Sequence, residues 1–100
     1  MKGENMVEYS MTKFEGLFSA VLKLETMEDC RKFFEDVCTI KELQAIAQRL
    51  DVAEMLNAGQ NYQEISKETG ASTATISRVA KCLNYGAGGY ELVVGEKRNG

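Results

Sequence analysis

The stretch that decides the fold runs from Asn61 to Leu83, NYQEISKETGASTATISRVAKCL. Asn61 followed three residues later by Glu64 is a capping signature, and it predicts a short helix over Tyr62–Thr69. Gly70 interrupts, at a place where a left-handed backbone suits a residue without Cβ. Ser72 or Thr73 then starts a second helix that runs to about Leu83. Two short helices joined by a tight glycine turn make a helix-turn-helix. Its steep crossing needs small or branched contacts. Ile65 and Ser66 supply them on the first helix, Ala71 in the turn, and Ile76, Val79 and Leu83 on the second. At about 100° per residue, Ile76, Val79, Ala80 and Leu83 share one side of the second helix. Ala74, Ser77, Arg78 and Lys81 share the other.

That outer face is chemically legible. Thr73, Ala74 and Ser77 are short enough for a helix to press into a major groove. Their methyls can meet thymine methyls, and their hydroxyls can pair with base edges. Thr75 flanks them at a place suited to a phosphate, while Arg78 and Lys81 reach phosphates or, for Arg78, guanine. Free N–H groups at the start of Tyr62–Thr69, helped by Gln63 and Lys67, offer a further phosphate seat. The candidate DNA-binding set is therefore Tyr62, Gln63, Ser66, Lys67, Ser72, Thr73, Ala74, Thr75, Ser77, Arg78 and Lys81. The plainer alternative is a pair of ordinary packed helices with solvated Ser and Thr.

Working outward, the rest of the chain also reads as helix. Phe14, Leu17, Phe18, Val21 and Leu22 form one apolar stripe of an amphipathic helix. Thr26, with Asp29 three residues on, caps a second helix whose inner face is Met27, Cys30, Phe33, Phe34 and Val37. Thr39 with Glu42 is a capping box for a third, burying Ile40, Leu43 and Ala47. Around Gln48–Asp51 the apolar face rotates toward Leu50, Ala53 and Leu56, which predicts a bend or short break. Gly59 ends that segment as a residue in the C′ position. The tail NYGAGGYELVVGEKRNG holds five of the nine glycines, and Leu92–Val93–Val94 in it is a short terminal helix or strand. Its last residues are expected to be loose.

The class is all-α, a single domain in 100 residues. It divides into N-terminal helices at 1–38, a central helical segment at 39–58, the helix-turn-helix at 61–83 and a glycine-containing tail at 84–100. The chain carries 12 Lys+Arg against 15 Asp+Glu, a net charge of −3, which argues against a non-specific nucleic-acid coat. The acid is unevenly spread. Residues 59–85 hold Lys67, Arg78 and Lys81 against Glu64 and Glu68, a net of +1. Residues 1–58 hold 7 basic and 11 acidic side chains, a net of −4.

No histidine is present, which removes the commonest general base and metal ligand together. Three cysteines without a Cys-x-x-Cys pair argue against zinc, so Cys30, Cys38 and Cys82 read as small apolar side chains on helices. The carboxylate pairs Glu28/Asp29 and Glu35/Asp36 lie on the polar side of a helix and are explained by solvation. No catalytic residues, metal or cofactor are expected. The start MKGENMVEYSMTKFEG lacks the apolar core of a signal peptide, and no run approaches a membrane span. The expected location is the cytoplasm, with reduced thiols.

Two segments, LQAIAQRLDVAEMLNAG and EISKETGASTATISRVAKCL, resemble the bacterial tryptophan repressor family, most closely its YerC/YecD-type members. The resemblance covers about Thr39 to Leu83 and is most specific in Gly70–Arg78. It implies an intertwined, all-helical homodimer that presents two helix-turn-helix heads to a palindromic operator. In the tryptophan repressor two arginines flank the corepressor's indole, and these match Arg49 and Arg78. A glycine that leaves room for the ring is replaced by Val79, and a serine that holds the ligand's amino group is replaced by Cys82. A branched side chain in the ring's place costs about 1–3 kcal/mol or more in overpacking. The resemblance thus implies a vestigial effector pocket of Arg49, Arg78, Val79 and Cys82 that does not take tryptophan, with Val79 locking the head instead. Arg49 stands open between a contact there and a solvated arginine paired to a carboxylate.

The function these readings support is a sequence-specific DNA-binding transcriptional regulator, a repressor by resemblance, with double-stranded DNA and a second copy of the chain as partners. The competing reading is a protein–protein adaptor of the same fold, whose main support is the acidic balance.

Overall fold

The structure, a computed structural model, describes residues 12–95. The order is α1 (Glu15–Val21), α2 (Met27–Val37), α3 (Ile40–Asn57), α4 (Tyr62–Thr69), α5 (Thr73–Tyr85) and α6 (Gly89–Val93). The described residues contain no strand, so the all-α reading holds. The chain divides between residues 39 and 40 into two compact units.

In the first unit, Thr26 caps α2 as its sequence position predicts, accepting a hydrogen bond from the Asp29 amide at 3.0 Å. Asp29 in turn accepts from the Glu25 amide at 3.1 Å, which secures the entry to the helix. Phe33 and Phe34 meet edge to face with ring centroids 5.1 Å apart. Arg31 donates to Glu28 and to Glu35, and these bonds, Glu28's first, raise its pKa. Three of the four carboxylates on this face therefore have structural employment. Neither α1 nor α2 has a buried residue. Leu22 and Met27 are 83% and 85% exposed and Val37 is exposed as well, whereas Val21, Cys30, Phe33 and Phe34 are half-buried, so the two predicted inner faces are only partly covered.

The second unit holds the core. Val52 and Ala53 from α3, Ile65 from α4, Ala71 from the turn, and Ile76 and Val79 from α5 are its buried residues. Met55, Leu56, Leu83, Tyr90 and Val94 close around them. Burying a side chain of the size of Ile65 or Ile76 contributes about 1.5–3 kcal/mol, so a core this small leaves little margin. Of the contacts expected of a crossed helix pair, Ile65, Ala71, Ile76 and Val79 are in it and Leu83 packs against it, whereas Ser66 is half-buried outside it.

Two expectations need correction. α3 runs unbroken for 18 residues through Gln48–Asp51, so the predicted break is absent. The rotation of its apolar positions has another cause. Val52 and Ala53 face the core, whereas Ile40, Ile46 and Leu50 lie on a side of α3 that the core of the second unit leaves exposed. The expected burial of Ile40, Leu43 and Ala47 also fails. Ile40 is 65% exposed, Ala47 is exposed and Leu43 is half-buried, because the core of the second unit takes up the side of α3 that carries Val52 and Ala53.

The helix ends follow their chemistry. α3 starts directly after Thr39 with Glu42 in its first turn. It stops at a Schellman motif, with the Gly59 amide donating to Leu56 O and the Gln60 amide to Met55 O, both at 3.0 Å. Gly59 has φ +91°, as its assigned position requires. Of the predicted apolar cluster in the tail, Leu92 and Val93 lie exposed on the helix α6, and Val94, its C-cap, packs against the core together with Tyr90. The tail residues expected to be loose, 96–100, lie outside the described residues.

Candidate nucleic-acid interface

The candidate reading head is α4, the turn and α5. At the start of α4 the capping box is complete, with Glu64 N donating to Asn61 Oδ1 at 2.9 Å and Asn61 N to Glu64 Oε1 at 3.3 Å. One amide of the proposed phosphate seat is therefore already used, and a carboxylate stands beside it. Gly70 ends α4 in the left-handed region, φ +78° and ψ 2°. Ser72 caps α5, accepting from the Thr75 amide at 3.1 Å.

The turn is tied by side chains. Ser66 Oγ donates to Ala71 O at 2.9 Å, Thr69 Oγ1 donates to Ile65 O at 2.7 Å, and Ala71 N donates to Thr69 Oγ1 at 3.1 Å. From outside the head, Gln48 Nε2 donates to Thr69 O at 3.1 Å. Ile76 and Val79 are buried beneath α5, so its opposite face is held outward by the core rather than by chance.

On that outward face Thr73, Ala74, Ser77, Arg78 and Lys81 are all exposed. Tyr62, Gln63, Ser66, Lys67 and Thr73 surround one shallow hollow of about 320 Å³, which joins the start of α4 to the start of α5. Three members of the predicted set have prior employment. Ser72 Oγ donates to Thr75 Oγ1 at 3.1 Å, so these hydroxyls satisfy each other and Thr75 is half-buried. The Ser66 proton is committed to the turn. Their immediate role is to shape the head. Sequence reading missed Gln48 and Thr69 in that role, since a tertiary hydrogen bond leaves no periodic signature.

A second concavity, about 470 Å³, lies among α3, α5 and α6. Arg49 and Cys82 line it together with Ile46, Leu50, Tyr90 and Val93. The four residues of the expected effector pocket are thus divided. Val79 is 1% exposed inside the core, and Arg78 is exposed on the outward face of α5. Cys82 is exposed, while Cys30 and Cys38 are half-buried, Cys38 at the C-cap of α2 rather than within a helix. All three are free thiols.

The family model described as Trp repressor protein matches residues 12–98. The chain belongs to the Trp repressor family. It is 54% identical over 82 residues to YerC of Bacillus subtilis (strain 168), covering 82% of this chain and 79% of YerC. Among solved structures it resembles a TrpR-like protein from Eubacterium eligens ATCC 27750, with a TM-score of 0.78 and 50% identity over 82% of this chain and 84% of that one. A Staphylococcus aureus crystal structure gives the same TM-score at 46% identity, over 83% of each chain. The all-helical fold and the likeness to YerC expected from the sequence resemblance are borne out.

Proposed function

We propose that the protein is a sequence-specific DNA-binding repressor of transcription, acting in the cytoplasm as a homodimer on a palindromic operator. The observation that carries this reading is the outer face of α5. Short side chains at Thr73, Ala74 and Ser77 stand between the turn and the cations Arg78 and Lys81, over an inner face pinned by Ile76 and Val79. Such a face enters a major groove without obstruction and places charge beside phosphates. Family membership supports the same reading.

Uncovered apolar side chains support the dimer. Phe14, Leu17 and Phe18 in the first unit, and Ile40, Ile46 and Leu50 on α3, are each at least 37% exposed. Apolar surface on this scale along successive helices fits a second copy of the chain. Val79 supports independence from tryptophan. It fills core space with a branched side chain where the corepressor-binding relative has a glycine.

Selection of bound duplexes from a random pool tests the proposal. The expected result is one dominant palindromic sequence with half-sites about one helical turn apart, and an affinity that falls as salt rises. Sequence-indifferent binding overturns it. Full activity in cells of an Arg78→Ala, Lys81→Ala double variant also overturns it and favours the adaptor.

A further inference from the structure

We infer that Gln48 is a positioning residue for the reading head: by donating from α3 to the last carbonyl of α4, it sets the angle at which α5 meets DNA. The inference rests on the DNA-binding reading above and deepens it. The last carbonyls of a helix have no partner within it, and at Thr69 the chain turns away through the left-handed Gly70. Gln48 Nε2 supplies the missing donor to Thr69 O at 3.1 Å, in a half-buried setting and from a residue 21 positions earlier. The same nitrogen lies 4.0 Å from where a Cβ on Gly70 would stand, so the amide sits over the turn itself.

Other bonds at the turn do a different task. Those of Ser66, Thr69 and Ala71 join residues at most five apart, so they fix the turn's shape and not its placement on α3. Placement falls partly to the apolar contacts of Val52 and Ala53. Those contacts are non-directional, and they resist separation better than they resist sliding. Gln48 is one helical turn before Val52 on the same side of α3, and it adds a directional bond at the edge of that contact. Without it the head keeps its core but samples a wider range of tilts. Specific binding requires one tilt, so apparent affinity falls with the fraction of heads that hold it. Non-specific binding tracks phosphates and does not require it.

The test compares wild type with Gln48→Met, which keeps the length of the side chain and removes the donor, and with Gln48→Lys, which restores a donor. The readout is the ratio of affinity for the selected operator to affinity for random duplex of equal length. Gln48→Met is expected to lower this ratio about 3- to 10-fold, the factor of one partly buried hydrogen bond. Its random-duplex affinity and salt slope stay at wild-type values, and Gln48→Lys recovers most of the ratio. An unchanged ratio in Gln48→Met overturns the inference, as does a fall in both affinities with loss of helical circular dichroism. Amide hydrogen exchange separates this from failure of the DNA reading. Gln48→Met should speed exchange at Gly70 and Ala71 relative to Ile76 and Val79 without any DNA present. If wild type selects no sequence, the DNA reading fails, and uniform exchange across those four amides then overturns the tether independently.

Discussion

Replacing Gly70 with alanine isolates backbone strain from steric crowding. A Cβ built at Gly70 meets nothing nearer than Gln48 Nε2 at 4.0 Å, an ordinary van der Waals distance. The whole penalty must therefore come from φ +78°, which an L side chain adopts at a cost of about 1–2 kcal/mol. Alanine also stiffens the unfolded chain, which returns about 0.4–1 kcal/mol. The expected net loss for Gly70→Ala is about 1 kcal/mol, and Gly70→Asn should lose less, since asparagine tolerates the left-handed region. Gly86 provides the opposite control. Its φ is −87°, but a Cβ there would lie 2.5 Å from the Cys82 carbonyl oxygen, so alanine and asparagine should both disrupt it by crowding. Urea unfolding at one fixed protein concentration measures all four variants, because oligomer stability depends on concentration. A loss above about 3 kcal/mol for Gly70→Ala, or no advantage of asparagine over alanine at residue 70, refutes the argument.

Further outcomes follow from the interface and the uncovered faces. Arg78→Ala should weaken operator binding and relax preference at one base pair, costing about 1–3 kcal/mol if it reads guanine, while Lys81→Ala should reduce the log affinity–log salt slope by about one. Competition binding over a salt series distinguishes them. Phe18 is 46% exposed in the single chain, so Phe18→Glu should shift sedimentation from dimer to monomer if a second copy covers it. An unchanged sedimentation coefficient removes α1 from the interface. Val79→Gly should cost about 2–4 kcal/mol through lost burial and a helical glycine, and calorimetry of the wild type with tryptophan should give no binding heat. Ser72→Ala should lose about 1 kcal/mol of stability by uncapping α5, visible as a lower urea midpoint.

The helix-turn-helix was legible because its determinants are close in sequence. Asn61 and Glu64 cap each other across three residues, Gly70 marks the left-handed turn, and Ile76 and Val79 lie one turn apart on the buried side. The central helix was harder to read. Its apolar residues occupy more than one face, and apolar positions spread around a helix resemble a pattern interrupted by a break. The chemistry of the candidate site was legible as a set of residue types, but the use of each hydroxyl was not. Ser72 and Thr75 share a hydrogen bond and Ser66 closes the turn, so these three shape the helix-turn-helix itself.

Spacing and capping alone established the all-helical class, the position of the helix-turn-helix, and the side of α5 that faces outward. Those properties depend on residues three or four apart, whose relation is set as soon as a helix forms. Long-range contact decided the rest. It grouped Arg49 and Cys82 with Tyr90 and Val93 around one concavity, and laid Gln48 over the turn. Each of these outcomes depends on how helices separated by a turn settle against one another, and a hydrogen bond across 21 residues has no period by which a sequence could announce it.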